Sequence, residues 1–282
     1  MNEDPPLQKA DFGAIYNQAD PRAYFQTLAP YDYVIPQYGA EAFARLLREH
    51  IAPGRRATVL DVCCSYGVVG TLLRTDLGIG DLYEHYRSPA TADLTTEQLT
   101  EVDRRLLLDH AVPSAPRVVG LDVAPNAVDY AVSVGAMDSG VTDNLEVTAP
   151  SRELADLLRD VDLITTTGGV GYVTERTFEH LLQSCPSSAW VAAFCLRTYD
   201  YGPIAATMDK HGLRTERVAR TFRQRRFTDD SEQRWATSRV VERGLDPEGK
   251  ESTGYYHADL YLSRPETDVG APSADRLLAD LL

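Results

Sequence analysis

The stretch ATVLDVCCSYGVVG, Ala57 to Gly70, decides how the whole chain is read. Thr58–Val62 is a short apolar run that predicts a buried strand. A tight loop follows, and YGVVGTLLRT continues at helical spacing. Strand, loop and helix in this order begin many nucleotide-cofactor sites, because loop amides and a helix start converge on one ligand. Yet Cys63 and Cys64 stand where glycine is expected. Three readings are open: a cofactor loop with unusual residues, a metal or redox site, or core packing.

Working outward, strand and helix alternate. RVVGLDV (117–123) predicts a second strand, and APNAVDYAVSVGA a helix with Pro125 near its start. LEVTA is a third strand candidate, followed by the helix SRELADLLRD. VDLITTT and AWVAAFCLRT are the fourth and fifth strands, with TERTFEHLLQSC helical between them and a helix near PIAATMDKHG. LRTERVARTF and YYHADLYLS complete a set of seven. The fold class is therefore α/β: a doubly wound, mainly parallel seven-stranded sheet with helices on both faces. Residues 1–56 form an N-terminal arm and helical cap, 57–265 the sheet domain and 266–282 a tail. Residues 1–20 are polar and predict a mobile arm, while AEAFARLLREHI reads as a helix ended by Pro53-Gly54. Two insertions, about 78–115 and 223–254, interrupt the alternation, with Asp229 or Asp230 capping a helix in the second.

The chain has 282 residues, 43% of them hydrophobic, enough for a substantial core. Its formal net charge of -14 is a poor match for nucleic acid or an anionic membrane surface. A small-molecule substrate is the expected partner; no nucleic acid and no membrane are expected. No apolar run reaches the roughly 18 residues of a membrane span, and the start MNEDPPLQKADFG does not read as a signal peptide. Cys63, Cys64, Cys185 and Cys195 form no CxxC, so reduced thiols in a cytoplasmic protein are expected. Adjacent cysteines with no nearby His or Cys partner do not match zinc spacings, and no metal is expected.

Ligands of open parallel sheets bind outside the carboxyl ends of the strands. There the pattern DVCCSYG places Asp61 near a strand end, with Cys63, Ser65 and Gly67 at alternate positions. This resembles the first motif of class I (Rossmann-like) S-adenosylmethionine-dependent methyltransferases, an acid followed by alternating glycines. Only Gly67 keeps its glycine. Cysteine and serine are the next smallest residues and preserve a close approach provided that φ stays negative. RVVGLDVAPNAVDYA, with Asp122 at the strand end, resembles the second motif of the same family. The resemblance covers residues 57–200 by motif and implies S-adenosyl-L-methionine as cofactor. It implies that Asp61, Cys63, Ser65 and Gly67 wrap the methionine half, and that Asp122 with Val123 holds the ribose. The family's acid after the third strand has no counterpart in LEVTAPS, which leaves Thr148 and Ala149 for the adenine. Thr166, Thr167 and Gly168 in DLITTTGGVGYV match the fourth motif in position. The GxGxxG of nicotinamide-binding folds is missing.

Transfer from a sulfonium needs mainly an aligned nucleophile. Tyr172, Arg197 and Tyr199 follow strand ends and are the candidate catalytic residues, Arg197 as a clamp for a substrate carboxylate. No histidine follows strand four or five directly. Tyr31, Tyr33 and Tyr38 are candidate substrate or lid residues. The function expected is methyl transfer to an O, N or C nucleophile of a small molecule. Rivals are aminocarboxypropyl transfer or intramolecular cyclisation releasing methylthioadenosine, and a non-catalytic domain binding partners through the 78–115 insertion.

Overall fold

The computed structural model describes residues 9–51, 54–268 and 272–281. Pro53 and the first eight residues of the expected arm lie outside these. The strands are β1 (Thr58–Val62), β2 (Arg117–Leu121), β3 (Ser139–Val141), β4 (Leu163–Thr166), β5 (Trp190–Leu196), β6 (Leu213–Arg226) and β7 (Tyr255–Pro265). They form one sheet in the order β3-β2-β1-β4-β5-β7-β6. The first five pair in parallel, and β7 runs antiparallel to both neighbours. The expected α/β sheet of seven strands is the sheet observed.

Alternation along each strand feeds two cores. Val59, Val118 and Ala192 face one side, where α1 (Arg22–Leu28), α2 (Ile35–His50) and α3 (Val68–Arg74) pack. The insertion helices α4 (Ile79–Arg87), α5 (Pro89–Ala92) and α6 (Thr96–Asp109) cover the same side with α7 (Pro125–Val134). Leu60, Val119 and Val191 face the other side, against α8 (Arg152–Leu158), α9 (Glu175–Leu182) and α10 (Gly202–Lys210). The last helices are α11 (Asp230–Glu242), capped by the Asp229 carboxylate, and α12 (Ala274–Leu277).

The first insertion is fixed, not loose. Thr95 and Gln98 form a capping box that starts α6. Asp103, fully buried on α6, accepts hydrogen bonds from Tyr86 and Tyr130, each at 2.6 Å, and meets His85 Nε2 at 2.6 Å. These contacts fasten α4 and α6 to α7, and the Tyr86 ring stacks on Phe25 of α1 at 4.4 Å. On α2, Ile35, Gly39, Phe43 and Leu46 are buried at helical spacing. Gly39 permits a close crossing: a Cβ there would lie 2.3 Å from Thr167 Cγ2.

Three expectations are corrected. LEVTA is not a strand: the amides of Val147 and Thr148 fold back onto the Asn144 carbonyl, and Val147 is 74% exposed. The third strand is Ser139–Val141, a three-residue edge strand too short to show a period of two. β6 runs on to Arg226, so the second insertion begins after it and not at residue 223. From Lys9 onward the N-terminal arm is tied down. Gly13–Ile15 form a 3-10 turn, the Ala10 amide donates to Glu232, and the Gln18 amide donates to the Tyr66 hydroxyl.

Candidate functional site

The chain runs from β1 to β2 on one side, and β4 lies on the other side of β1. This reversal opens a crevice at the carboxyl ends of β1, β2 and β4, where ligands of such sheets bind. The loop after β1 lines it. Cys63 has φ +59°, Ser65 +49° and Gly67 +68°. The two non-glycine residues therefore do not keep a negative φ. The backbone retains the conformation of a glycine loop, and the strain is about 1–3 kcal/mol at each. Gly67 has no freedom to change, because a Cβ there would come within 3.0 Å of both Ala131 and Ala136.

Asp122 follows β2 and holds this loop. Its Oδ2 accepts from the Ser65 amide at 2.8 Å, and its Oδ1 accepts from the Ala124 amide at 3.0 Å. The carboxylate keeps acceptor capacity beyond these two bonds. Burial raises the Asp122 pKa, opposed by the amides of Ser65, Ala124 and Val123. Val123 is 61% exposed beside it. Asp61 is buried under the loop, with its Oδ1 accepting from the Thr165 hydroxyl at 3.0 Å. Burial pushes its carboxyl up to about 7; the Thr165 bond opposes this and the charge of Asp122 adds to it.

The two cysteines diverge. Cys64 is buried with its sulfur toward Gly120 of β2, where a Cβ would lie 2.7 Å from it. Cys63 turns toward Gly169 after β4 and is half-buried. Burial drives both thiols well above the ordinary thiol pKa, so both stay protonated at neutral pH.

Ser65 adds a second irregularity: its hydroxyl is buried and has no hydrogen-bond partner. Positive φ and an unbonded hydroxyl both disfavour serine here. Ser65→Gly is therefore expected to stabilise the fold by about 1–2 kcal/mol. If the hydroxyl serves a ligand, the same variant loses affinity. Urea unfolding and ligand titration of the one variant separate the two effects, and unchanged stability would contradict the strain.

After β4, Gly168 has φ +147° and faces Gln224 and Tyr33. Thr167 packs beneath Gly39 of α2. Tyr172 is 65% exposed, with the Lys9 ammonium 5.1 Å from its ring centroid. The Tyr199 ring covers Gly171, so the loops after β4 and β5 touch. A cavity of about 30 Å³, bordered by Tyr16, Tyr33, Gly168, Tyr172, Gln224 and Arg225, remains between these loops, β6 and the arm. Asn17 of the arm accepts from the Asn126 amide at 2.9 Å, which places the arm over the start of α7. Such a cavity has room for about one water.

Five expected site residues lie elsewhere. The guanidinium of Arg197 is buried against Glu251 and donates to the Asp246 carbonyl at 2.8 Å, so its fork is not available as a substrate clamp. Tyr38 packs against Phe222 and Arg220 at the outer sheet edge. Thr148 and Ala149 follow a turn and not a strand, and the Thr148 hydroxyl bonds the Asn144 carbonyl at 3.1 Å. Tyr31 meets Phe12 of the arm. Four residues went unseen in the sequence. Asp143 is the acid two residues after the true third strand, and its Oδ2 accepts from the Ser151 amide at 2.6 Å. Tyr16 comes from the arm. Gln224 and Arg225 come from β6, where alternation of the charged run RTFRQRR was the one available signal. Arg225 is buried in a bidentate pair with Glu232. The Gln224 amide oxygen is buried without a partner.

No family model and no curated protein sequence matches the chain. Solved structures with a similar chain trace include a putative sarcosine dimethylglycine methyltransferase from Galdieria sulphuraria, 14% identical over 86% of this chain and 97% of that one, with TM-score 0.45. A TehB-like SAM-dependent methyltransferase from Corynebacterium glutamicum ATCC 13032 Kitasato is 16% identical over 79% of this chain and 86% of that one, TM-score 0.40. The plantazolicin methyltransferase BpumL, in complex with SAH, is 8% identical over 90% of this chain and 93% of that one, TM-score 0.44. Likeness at this level concerns the fold.

Proposed function

We propose that the chain is an S-adenosyl-L-methionine-dependent methyltransferase acting on a small molecule. The observation that carries this reading is Asp122: a carboxylate at the end of β2, oriented by the Ser65 and Ala124 amides, with acceptor capacity left over. Two adjacent ribose hydroxyls are the natural donors for such a carboxylate. The surrounding residues fit the same cofactor. The Ser65 hydroxyl is buried without a partner in a loop that keeps glycine-like backbone. Asp143, after β3, supplies an acceptor for an adenine amino group.

When bound, the cofactor supplies a sulfonium whose methyl group is already activated for displacement. The chain's own part is alignment and exclusion of water. Tyr33, Tyr172 and Gln224 border a cavity with room for about one water, which an acceptor would enter by displacing the arm, and Gln224 offers its free amide oxygen to an N–H or O–H of the acceptor. The net charge of -14 disfavours a polyanionic acceptor. A second reading, aminocarboxypropyl transfer or cyclisation, is favoured by one feature: the strained Cys63–Ser65 backbone lies where the methionine half would lie, and altered positioning there would redirect attack.

Calorimetric titration with S-adenosylmethionine, S-adenosylhomocysteine and methylthioadenosine, with NAD as control, tests both. Binding of the first two is the expected result. Preferential binding of methylthioadenosine transfers the assignment to the second reading. Binding of NAD alone overturns both.

A further inference from the structure

At the outer edge of the sheet, apart from the crevice, a cavity of about 420 Å³ opens between α2 and the segment that joins α11 to β7. Tyr38, Arg220, Thr221, Arg223, Tyr255 and His257 line it. Its chemistry starts with β6, which carries Arg214, Arg217, Arg220, Arg223, Arg225 and Arg226 in a chain of net charge -14. Three of these six are neutralised: Arg217 by Asp259, Arg225 by Glu232 and Arg226 by Asp32. Arg220 and Arg223 are not. Arg220 donates to the Leu281 carbonyl and lies over the rings of Tyr38 and Phe222. Arg223 stacks over Tyr255 at 5.1 Å, and among the described residues neither guanidinium meets a carboxylate. A register shift between Arg217 and Thr221 re-aims this part of the strand.

Between them stands His257, paired with Arg223 in the β6–β7 ladder and 8% exposed. Its Nδ1 is 3.0 Å from the Thr221 hydroxyl, and its Nε2 is buried with no partner. When Nδ1 accepts from Thr221, Nε2 carries a proton directed at no protein atom. We propose that this cavity binds a small oxyanion, the carboxylate or phosphate group of a ligand, held by Arg220 and Arg223 beside the His257 ring. Two guanidiniums in contact with no carboxylate among the described residues are what an oxyanion satisfies at once. The inference does not depend on the reaction in the crevice.

The charges facing His257 are Arg197 just after β5, Arg223 from β6 and Lys250 from the segment before β7. Burial first, and then these cations, lower its pKa to about 4, so the ring is neutral at pH 7. A bound anion offsets the cations and raises that value. The experiment is a titration of the intact protein with inorganic phosphate and, separately, with acetate, followed through the His257 ring resonances with ionic strength held by chloride. Saturable movement of these resonances and an upward shift of the His257 protonation midpoint are expected, and the tighter anion names the ligand class. Arg223→Gln, at an exposed position, is expected to weaken the interaction about tenfold or more with unchanged thermal stability. His257 resonances that respond to neither anion overturn the proposal. So does a response that Arg223→Gln leaves intact.

Discussion

Asp122→Ala is expected to lower the affinity for S-adenosylmethionine about a hundredfold or more. Two hydrogen bonds to a carboxylate are lost, each worth about 1.5–3 kcal/mol. A second loss adds to it, because the Ser65 and Ala124 amides would no longer share an acceptor and the loop after β1 would lose its anchor on β2. Asp122→Asn separates the two contributions. It retains one side-chain oxygen for an amide but gives up the charge and half the acceptor capacity. Calorimetry on both variants, with circular dichroism to confirm folding, is the measurement. An alanine variant that binds as tightly as the wild type would remove the ribose assignment, and with it the main support for the proposed cofactor.

The second large effect concerns stability. Asp61→Asn is expected to stabilise the fold at pH 8 and to leave it unchanged near pH 3. In the folded chain the Asp61 carboxyl is displaced upward from 3.8 to about 7, chiefly by burial. Between these values the folded state binds more protons than the unfolded state, so stability falls as pH rises through that window. The contribution is fully present below about 3.8 and lost above about 7. At 1.36 kcal/mol per pH unit the penalty has an upper bound of about 4 kcal/mol. Asparagine reproduces the neutral carboxyl in shape and carries no penalty. Asp122, Glu251 and Asp259 are displaced in the same direction. The readout is therefore the wild-type minus variant difference in unfolding free energy across pH 3–8, and a difference that does not change with pH would show that Asp61 ionises normally.

Much of the sheet was legible because its signals are local. The apolar run Thr58–Val62, the alternation of later strands with helices, the cap at Asp229 and the helix-starting Pro125 each lie within a few residues of the element they define. Asp122 was legible for the same reason, as an acid closing a strand and opening a helix. The loop was legible in position but not in conformation: the residue types Cys63 and Ser65 favour negative φ, and the packed surroundings impose positive φ.

What only the tertiary structure decided depends on partners distant in the chain. Ser139–Val141 is a strand because β2 pairs with it, and no three-residue run announces that. Correcting that strand moves the acidic candidate to Asp143. Arg197 is removed from the crevice by Glu251, 54 residues later. The arm is fastened by Glu232, 222 residues from Ala10, and β6 brings Gln224 to Gly168. Periodicity and capping act over one or two turns of chain, and the sequence expresses them directly. Which side chain neutralises which charge, and which loop covers which cleft, is settled only when the folded core brings distant segments into contact.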